Sequence, residues 1–191
     1  MIFNKNGLIP SGRRLERGDF IFFWGHTAPE GATTKACMSQ WWPCRFEVDG
    51  ITYNCAEQYM MVQKALLFGD KSIANAILDT DDPSKQKALG RLVSGYDDRV
   101  WHENRDKIVW RGNYAKFTQN HDLTQFLIST GDKILAEASP KDFIWGIGLA
   151  EHDFRATDPN LWRGENLLGF IFMDVRQTIR KQILLANINM N

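Results

Sequence analysis

The chain has 191 residues, 43% hydrophobic and 24% charged, with 23 basic and 23 acidic side chains that cancel. That is the composition of a soluble globular protein with ample material for one core, and zero net charge argues against a general nucleic-acid-binding surface while leaving room for a single nucleotide site. The three cysteines (37, 44 and 55) show no C-x-x-C spacing and the four histidines are scattered, so no metal site is expected, and with no signal-peptide pattern or long apolar run the expected location is cytoplasmic, without membrane attachment.

Residues 1–19 are polar, with Arg13, Arg14 and Arg17 close together, and read as a solvated extension or as a phosphate-contacting arm. The main domain is expected over residues 20–187. Phe20–Trp24 is a short apolar run bounded by turn residues, the pattern of a buried strand. Residues 25–38 form a long loop of the kind that often borders a site. Trp41 and Trp42 are either core or a stacking platform. Asp49-Gly50 between alternating segments predicts a hairpin, which delivers the chain to residues 54–69.

That stretch is organised as a helix, with Asn54 as its N-cap and Gly69 where it stops. On a wheel at roughly 100° per residue, Met60, Met61, Leu67 and Phe68 share one arc, and Glu57 and Lys64 fall inside it. A helix apolar nearly all round is expected to be buried. Buried charges must be paired or shift their pKa. The two residues are therefore either a structural pair bonded elsewhere in the chain or the acid and amine of a pocket wall, and the local pattern leaves both open.

Further helices are expected over Lys71–Leu78, from Pro83 to about Gly90 with Asp82 as N-cap, from Asp98 to about Phe117 with a break near Gly112, and over Asp122–Ser129. Trp101, Arg105, Ile108, Val109 and Ala115 should line the inner side of the long one. Lys133–Ser139 alternates and reads as a strand. Residues 140–166 are irregular and dense in Trp, Gly, Asp, Asn and Arg, a common setting for a ligand site. Gly146 and Gly148 allow backbone to approach a ligand, although the third glycine of a dinucleotide fingerprint is missing. Asn166 is placed to cap the last helix, Leu167–Leu185, whose N-terminus offers N–H groups to a phosphate.

Several ordered segments resemble the NADAR, or YbiA-like, family. They are Phe46-x-Val48-Asp49-Gly50-x-x-Tyr53, Ala56-Glu57-Gln58-Tyr59-Met60-Met61-x-Gln63-Lys64-Ala65, Lys87-x-x-Gly90-Arg91, Trp101, Lys116-Phe117-x-x-Asn120, Leu135-x-Glu137-Ala138-Ser139-Pro140, Trp145-Gly146-Ile147-Gly148-Leu149 and Trp162-Arg163-Gly164-x-Asn166-x-Leu168-Gly169. Gln58 departs from the His of many members, Ser39-Gln40-Trp41-Trp42-Pro43 departs from their Ser-Asn-Phe-Tyr-Pro, and the 25–38 loop looks longer. The resemblance implies a mainly α fold with a few short β-strands in a single compact domain. It implies an N-glycosidase that hydrolyses the ribosyl C1′–N bond of a phosphoribosylamino-pyrimidine intermediate of riboflavin synthesis. The alternatives it carries are removal of ADP-ribose from modified guanine in nucleic acid, and a non-catalytic ADP-ribose-binding module.

Breaking such a bond develops positive charge at C1′ and negative charge on the base. Glu57 can activate water, with Lys64 orienting it or binding phosphate. Alternatively, Lys64, desolvated among apolar neighbours, attacks C1′ and forms a Schiff base while Glu57 shuttles protons. Trp101 and Trp145 are candidates to stack on base or ribose. Asn166 and the Gly146 and Gly148 backbone are candidates to bond ribose or phosphate, and Arg91 or Arg163 to pair with phosphate. Asp153 is a weaker acid candidate. No step in this chemistry calls for a cofactor or metal.

Overall fold

The computed structural model describes Phe3, Gly7, Leu8 and residues 14–189. Most of the expected N-terminal extension, Arg13 included, lies outside the described residues. The fold is mainly α with a few short strands, as expected. The chain divides into two compact units, one formed by residues up to Ser39 together with Thr124 onward, the other by Gln40–Leu123.

In the first unit, β1 (Phe20–Phe23) pairs in parallel with β4 (Ile134–Glu137), Phe20 opposite Ile134 and Phe23 opposite Glu137. Parallel neighbours need a long crossover, and here the sequence of the whole second unit lies between them. Trp24 was expected to extend β1, but it is 66% exposed. The strand stops because Phe23 C=O accepts from Ala138 N–H as the ladder's last bond. The alternating pattern of 133–139 suggests one buried face, yet Ile134, Leu135 and Ala136 are all buried, as in a strand covered on both sides. α6 (Leu167–Asn189) packs on β4, and Phe172 meets Phe23 at 5.4 Å between ring centroids. Its stripe Leu168, Phe172, Val175 and Ile179 is buried as read from the spacing. The helix runs four residues beyond the expected Leu185, and Ile183, placed beside that stripe by the spacing, is exposed.

In the second unit the hairpin forms as expected. β2 (Phe46–Val48) and β3 (Ile51–Tyr53) are joined by Asp49 at φ 54° and Gly50 at φ 78°, the positive-φ pair of a type I′ turn. Arg111 grips Asp49 through both terminal guanidinium nitrogens, Nη1 and Nη2. α1 (Ala56–Leu67) is the centre of this unit, packed against α2 (Lys71–Leu78), α3 (Pro83–Gly90) and α4 (Asp98–Gln119). α3 begins as predicted, with Asp82 accepting from Ser84 N–H and Pro83 in the first turn. α5 (His121–Ser129) spans the division between the units.

The expected Asn54 cap is not the cap. Cys55 holds that place, its Sγ accepting from Gln58 N–H, while Asn54 donates to Asp81. The expected break near Gly112 is also absent, and α4 runs through it. A Cβ at Gly112 would lie 2.3 Å from Tyr59 Cδ1, so the glycine is there to admit a ring rather than to bend the helix. Tyr59 in turn meets Tyr53 edge-on at 5.0 Å and Phe46 at 6.1 Å.

Candidate active site

α1 carries the acid and the amine in different surroundings. Its first two turns are buried without interruption from Ala56 to Val62, but Lys64 is only half-buried and Leu66 is exposed. The expectation of burial along the whole helix therefore fails in the last turn, because α1 ends at the surface.

Glu57 is 2% exposed. Its N–H donates to Gln40 C=O, and the Gln40 side-chain amide exchanges two hydrogen bonds with that of Asn113, at 2.9 and 3.2 Å. Burial pushes the Cys55 thiol up to about 11; Gln58 N–H and the Lys116 charge act against this, and the Glu57 charge adds to it. Glu57 and Lys116 thus bear on the same thiol from opposite signs. Lys116 is fully buried on α4. Gln58 is a tie, accepting from Asn54 N–H and donating to Ile77 C=O at the end of α2. A glutamine suits this place because it both donates and accepts.

Lys64 reaches away from Glu57. Its Nζ donates to Gly90 C=O at 2.9 Å and stands 4.3 Å from the Tyr96 ring centroid and 5.8 Å from that of Trp101. Burial, and then the charge of Arg91, lower its pKa from the ordinary lysine value. The rings favour the ammonium, but one carbonyl is its only hydrogen-bond partner among the described residues. Gly90 permits the close approach of α3, since a Cβ there would lie 2.0 Å from Met61 Sδ.

Glu57, Lys64, Arg91 and Trp101 all belong to the second unit, where Lys64 feels the like charge of Arg91 and stands 5.8 Å from the Trp101 ring centroid. The other candidates belong to the first. Asn166 (φ 57°) opens α6 through its carbonyl, which accepts from Phe170 N–H. Its side chain does not cap that helix: it accepts from Glu137 N–H and donates to Leu135 C=O, standing in for a strand beside β4. The first N–H groups of α6, expected to suit a phosphate, are taken by the carbonyls of Ile144 and Trp145. At Gly146 a Cβ would meet Glu137 O at 2.8 Å, and at Gly148 it would meet Phe143 Cδ1 at 2.9 Å. Both glycines thus have a packing reason within the chain. Arg163 is exposed, its guanidinium 5.3 Å from the Phe143 ring centroid, and Trp145 is half-buried, its N–H donating to Asp142.

Asp153 is fastened to Arg155 by two side-chain bonds, at 2.9 and 2.6 Å, and accepts the Arg155 N–H as well. These bonds pull its carboxyl down to about 2, so the side chain is held as a carboxylate beside Arg155. Of the described arginines in the expected extension, Arg17 is held by Glu151.

Sequence reasoning gave no role to Lys116, Asn113, Gln40 or Tyr96. For Lys116 a signal existed: counting back from it by threes and fours reaches Gly112, Val109 and Arg105, so it is a charge in a buried stripe, like Glu57. Tyr96 lies in a turn, where no periodicity marks it. Among the described residues no group of three or more His, Cys, Asp or Glu is placed to hold a metal ion, and no helix is long and apolar enough to cross a membrane.

A family model described as the NADAR domain matches residues 22–180. N-glycosidase R617 of Acanthamoeba polyphaga mimivirus is 40% identical over 168 residues, 85% of this chain and 98% of that protein. Riboflavin biosynthesis protein VVA0006 of Vibrio vulnificus is 29% identical over 144 residues, 75% of this chain but 35% of that longer protein. The NMR structure of the E. coli protein YbiA aligns with a TM-score of 0.71 at 22% identity, covering 91% of this chain and 92% of that one, and so shares the fold. A family match across both units, with a relative of such identity along nearly its whole length, makes the chain a member of the NADAR family.

Proposed function

We propose that the chain is a cytoplasmic N-glycosidase, a hydrolase of N-glycosyl compounds like its mimiviral relative, acting on the ribosyl C1′–N bond of a phosphoribosylamino-pyrimidine. The observation that carries this reading is Lys64: an amine of lowered pKa, held by one carbonyl and two aromatic rings, on the same helix as a buried carboxylate. Binding an anionic ligand needs neither a depressed amine nor a buried acid, so these features favour catalysis over a binding module.

The reaction runs through an open-chain ribosylamine, whose C1′ is doubly bonded to the base nitrogen. Neutral Lys64 Nζ adds to C1′, and proton transfers move a hydrogen from Nζ to the base nitrogen. The C1′–N bond to the base breaks as a Schiff base to Lys64 forms. Water then adds at C1′, and loss of Nζ frees the sugar as its aldehyde with the lysine restored. Glu57 shuttles protons. Along α1 the two residues are about 10 Å apart in rise, so substrate or water must span the gap between them. Trp101 flanks the amine and offers a face to the sugar or base.

Borohydride trapping during turnover tests the covalent route. A reduced adduct on Lys64 by peptide mass spectrometry is expected, and full turnover without one leaves only the route in which Glu57 activates water. Product analysis on a ribosylamino-pyrimidine phosphate and on ADP-ribosylated guanosine, run in parallel, decides between the substrates by which sugar phosphate is released. Tight binding with neither product means a module.

A further inference from the structure

The C-terminal turn of α3 gathers positive charge that forms no ion pair among the described residues. Lys87 and Arg91 are four residues apart, and Arg91 continues the helical backbone as the C-cap with φ −80° and ψ −17°, so both project from one face. The carbonyl between them, Gly90, holds Lys64. Lys87 Nζ rests 5.9 Å from the centroid of the Trp41 ring, and Trp41 directly follows Gln40, whose carbonyl holds the Glu57 N–H. Among the described residues no carboxylate forms an ion pair with Lys64, Lys87 or Arg91. Like charges drawn together without counter-ions cost stability, and Arg91 already lowers the pKa of Lys64. An arriving dianion would relieve that repulsion.

We propose that Lys87 is a specificity-determining residue: with Arg91 it binds the phosphate of the substrate, resting against Trp41 until the phosphate arrives. The proposal builds on the N-riboside reading above. It gives the three cations separate work, because Lys87 and Arg91 hold the phosphate while Lys64, between two rings and with a single hydrogen bond, is left for the sugar carbon. It also gives Trp41 a role beyond core or base platform, as the surface that keeps a long flexible side chain in place before binding.

Calorimetric titration of the wild type, Lys87→Gln and Lys87→Arg with ribose 5-phosphate and, separately, with ADP-ribose tests this. Lys87→Gln should weaken ribose 5-phosphate about tenfold, the scale of one charge-assisted contact. Its affinity should also fall less steeply with salt. Lys87→Arg should restore most of the binding, which a folding defect would not allow. In turnover, the ratio of kcat/KM for a phosphorylated over a dephosphorylated ribosylamino-pyrimidine should fall about tenfold, through KM. Weakening of ADP-ribose alone supports the contact and assigns it to a diphosphate. Equal affinities in wild type and Lys87→Gln for both ligands overturn the proposal, as does a wild type that binds neither. A wild type that binds them but releases no base from any N-riboside overturns the N-glycosidase reading and leaves the phosphate contact standing.

Discussion

The two ends of α1 make opposite use of one helix. At the N-terminal end Glu57 is sealed in, and its surroundings are satisfied by a dense set of amides: Gln40 with Asn113, and Gln58 with Asn54 and Ile77. At the C-terminal end Lys64 is half-open, with one carbonyl, two rings and a like charge nearby. The amide network holds the backbone at Glu57 through the Gln40 carbonyl, whereas burial and then the Arg91 charge lower the pKa of the amine despite its two rings. The difference teaches that one helix can bury its acid completely and leave its amine half-buried at the other end.

The sharpest way to break this comparison is at the amine. Lys64→Arg keeps the charge and removes the nucleophile, so it should cost about 10³-fold or more in kcat on the substrate that wild type turns over. Near-normal kcat would mean that Lys64 only binds. Glu57→Gln should cost about 10²- to 10⁴-fold, as expected for a general acid–base group. If the comparison holds, borohydride still traps an adduct on Lys64 in this variant. The pH profile offers a third test. If the neutral amine is the nucleophile, kcat/KM should rise with pH through the Lys64 pKa of the free enzyme. Arg91→Gln removes a charge that lowers that pKa, and its rising limb should therefore lie at higher pH than that of wild type. A limb that stays in place separates the limb from Lys64.

Stability probes reach the same contrast with smaller effects. Gly112→Ala drives a methyl into the Tyr59 ring and should cost about 1–3 kcal/mol in denaturant unfolding, as overpacking does. Gly90→Ala would set a methyl 2.0 Å from Met61 Sδ, 2.9 Å from its Cγ and 3.2 Å from its Cβ, against which replacing a glycine within a helix gains little. Its cost should be similar, about 1–3 kcal/mol, and it should also lower kcat through the carbonyl that holds Lys64.

Much of the fold was legible because its signals are local. Asp49-Gly50 makes its turn whatever lies beyond it, and Asp82-Pro83 starts α3 with its own side chain and ring. The failures depend on distant atoms. Gly112 resembles a helix break until Tyr59, fifty-three positions earlier in the numbering, is seen to need the space. Asn54 and Cys55 both stand where a cap is needed, and the choice fell to Cys55 because Asn54 is drawn to Asp81 and Gln86. In the candidate site, Glu57 and Lys64 were visible as charges in an apolar arc. Their partners were not, since the Gly90 carbonyl is 26 residues from Lys64 and a backbone carbonyl leaves no mark in a side-chain pattern. The meeting of Lys64 with Arg91 and Trp101 likewise required the packing of α3 and of the first turn of α4 around α1.

Asn166 brings a different vulnerability. Its amide touches β4 as a peptide unit would, donating to Leu135 C=O and accepting from Glu137 N–H. Aspartate has nearly the same shape but no donor at neutral pH, and it would set a negative oxygen against that carbonyl. Exchange of this one amide for a carboxylate would thus turn an attractive join into a repulsive one and loosen the 140–165 segment from the strand it leans on. Asn166→Asp should therefore show faster amide hydrogen exchange across 140–165, with the exchange of α1 unchanged.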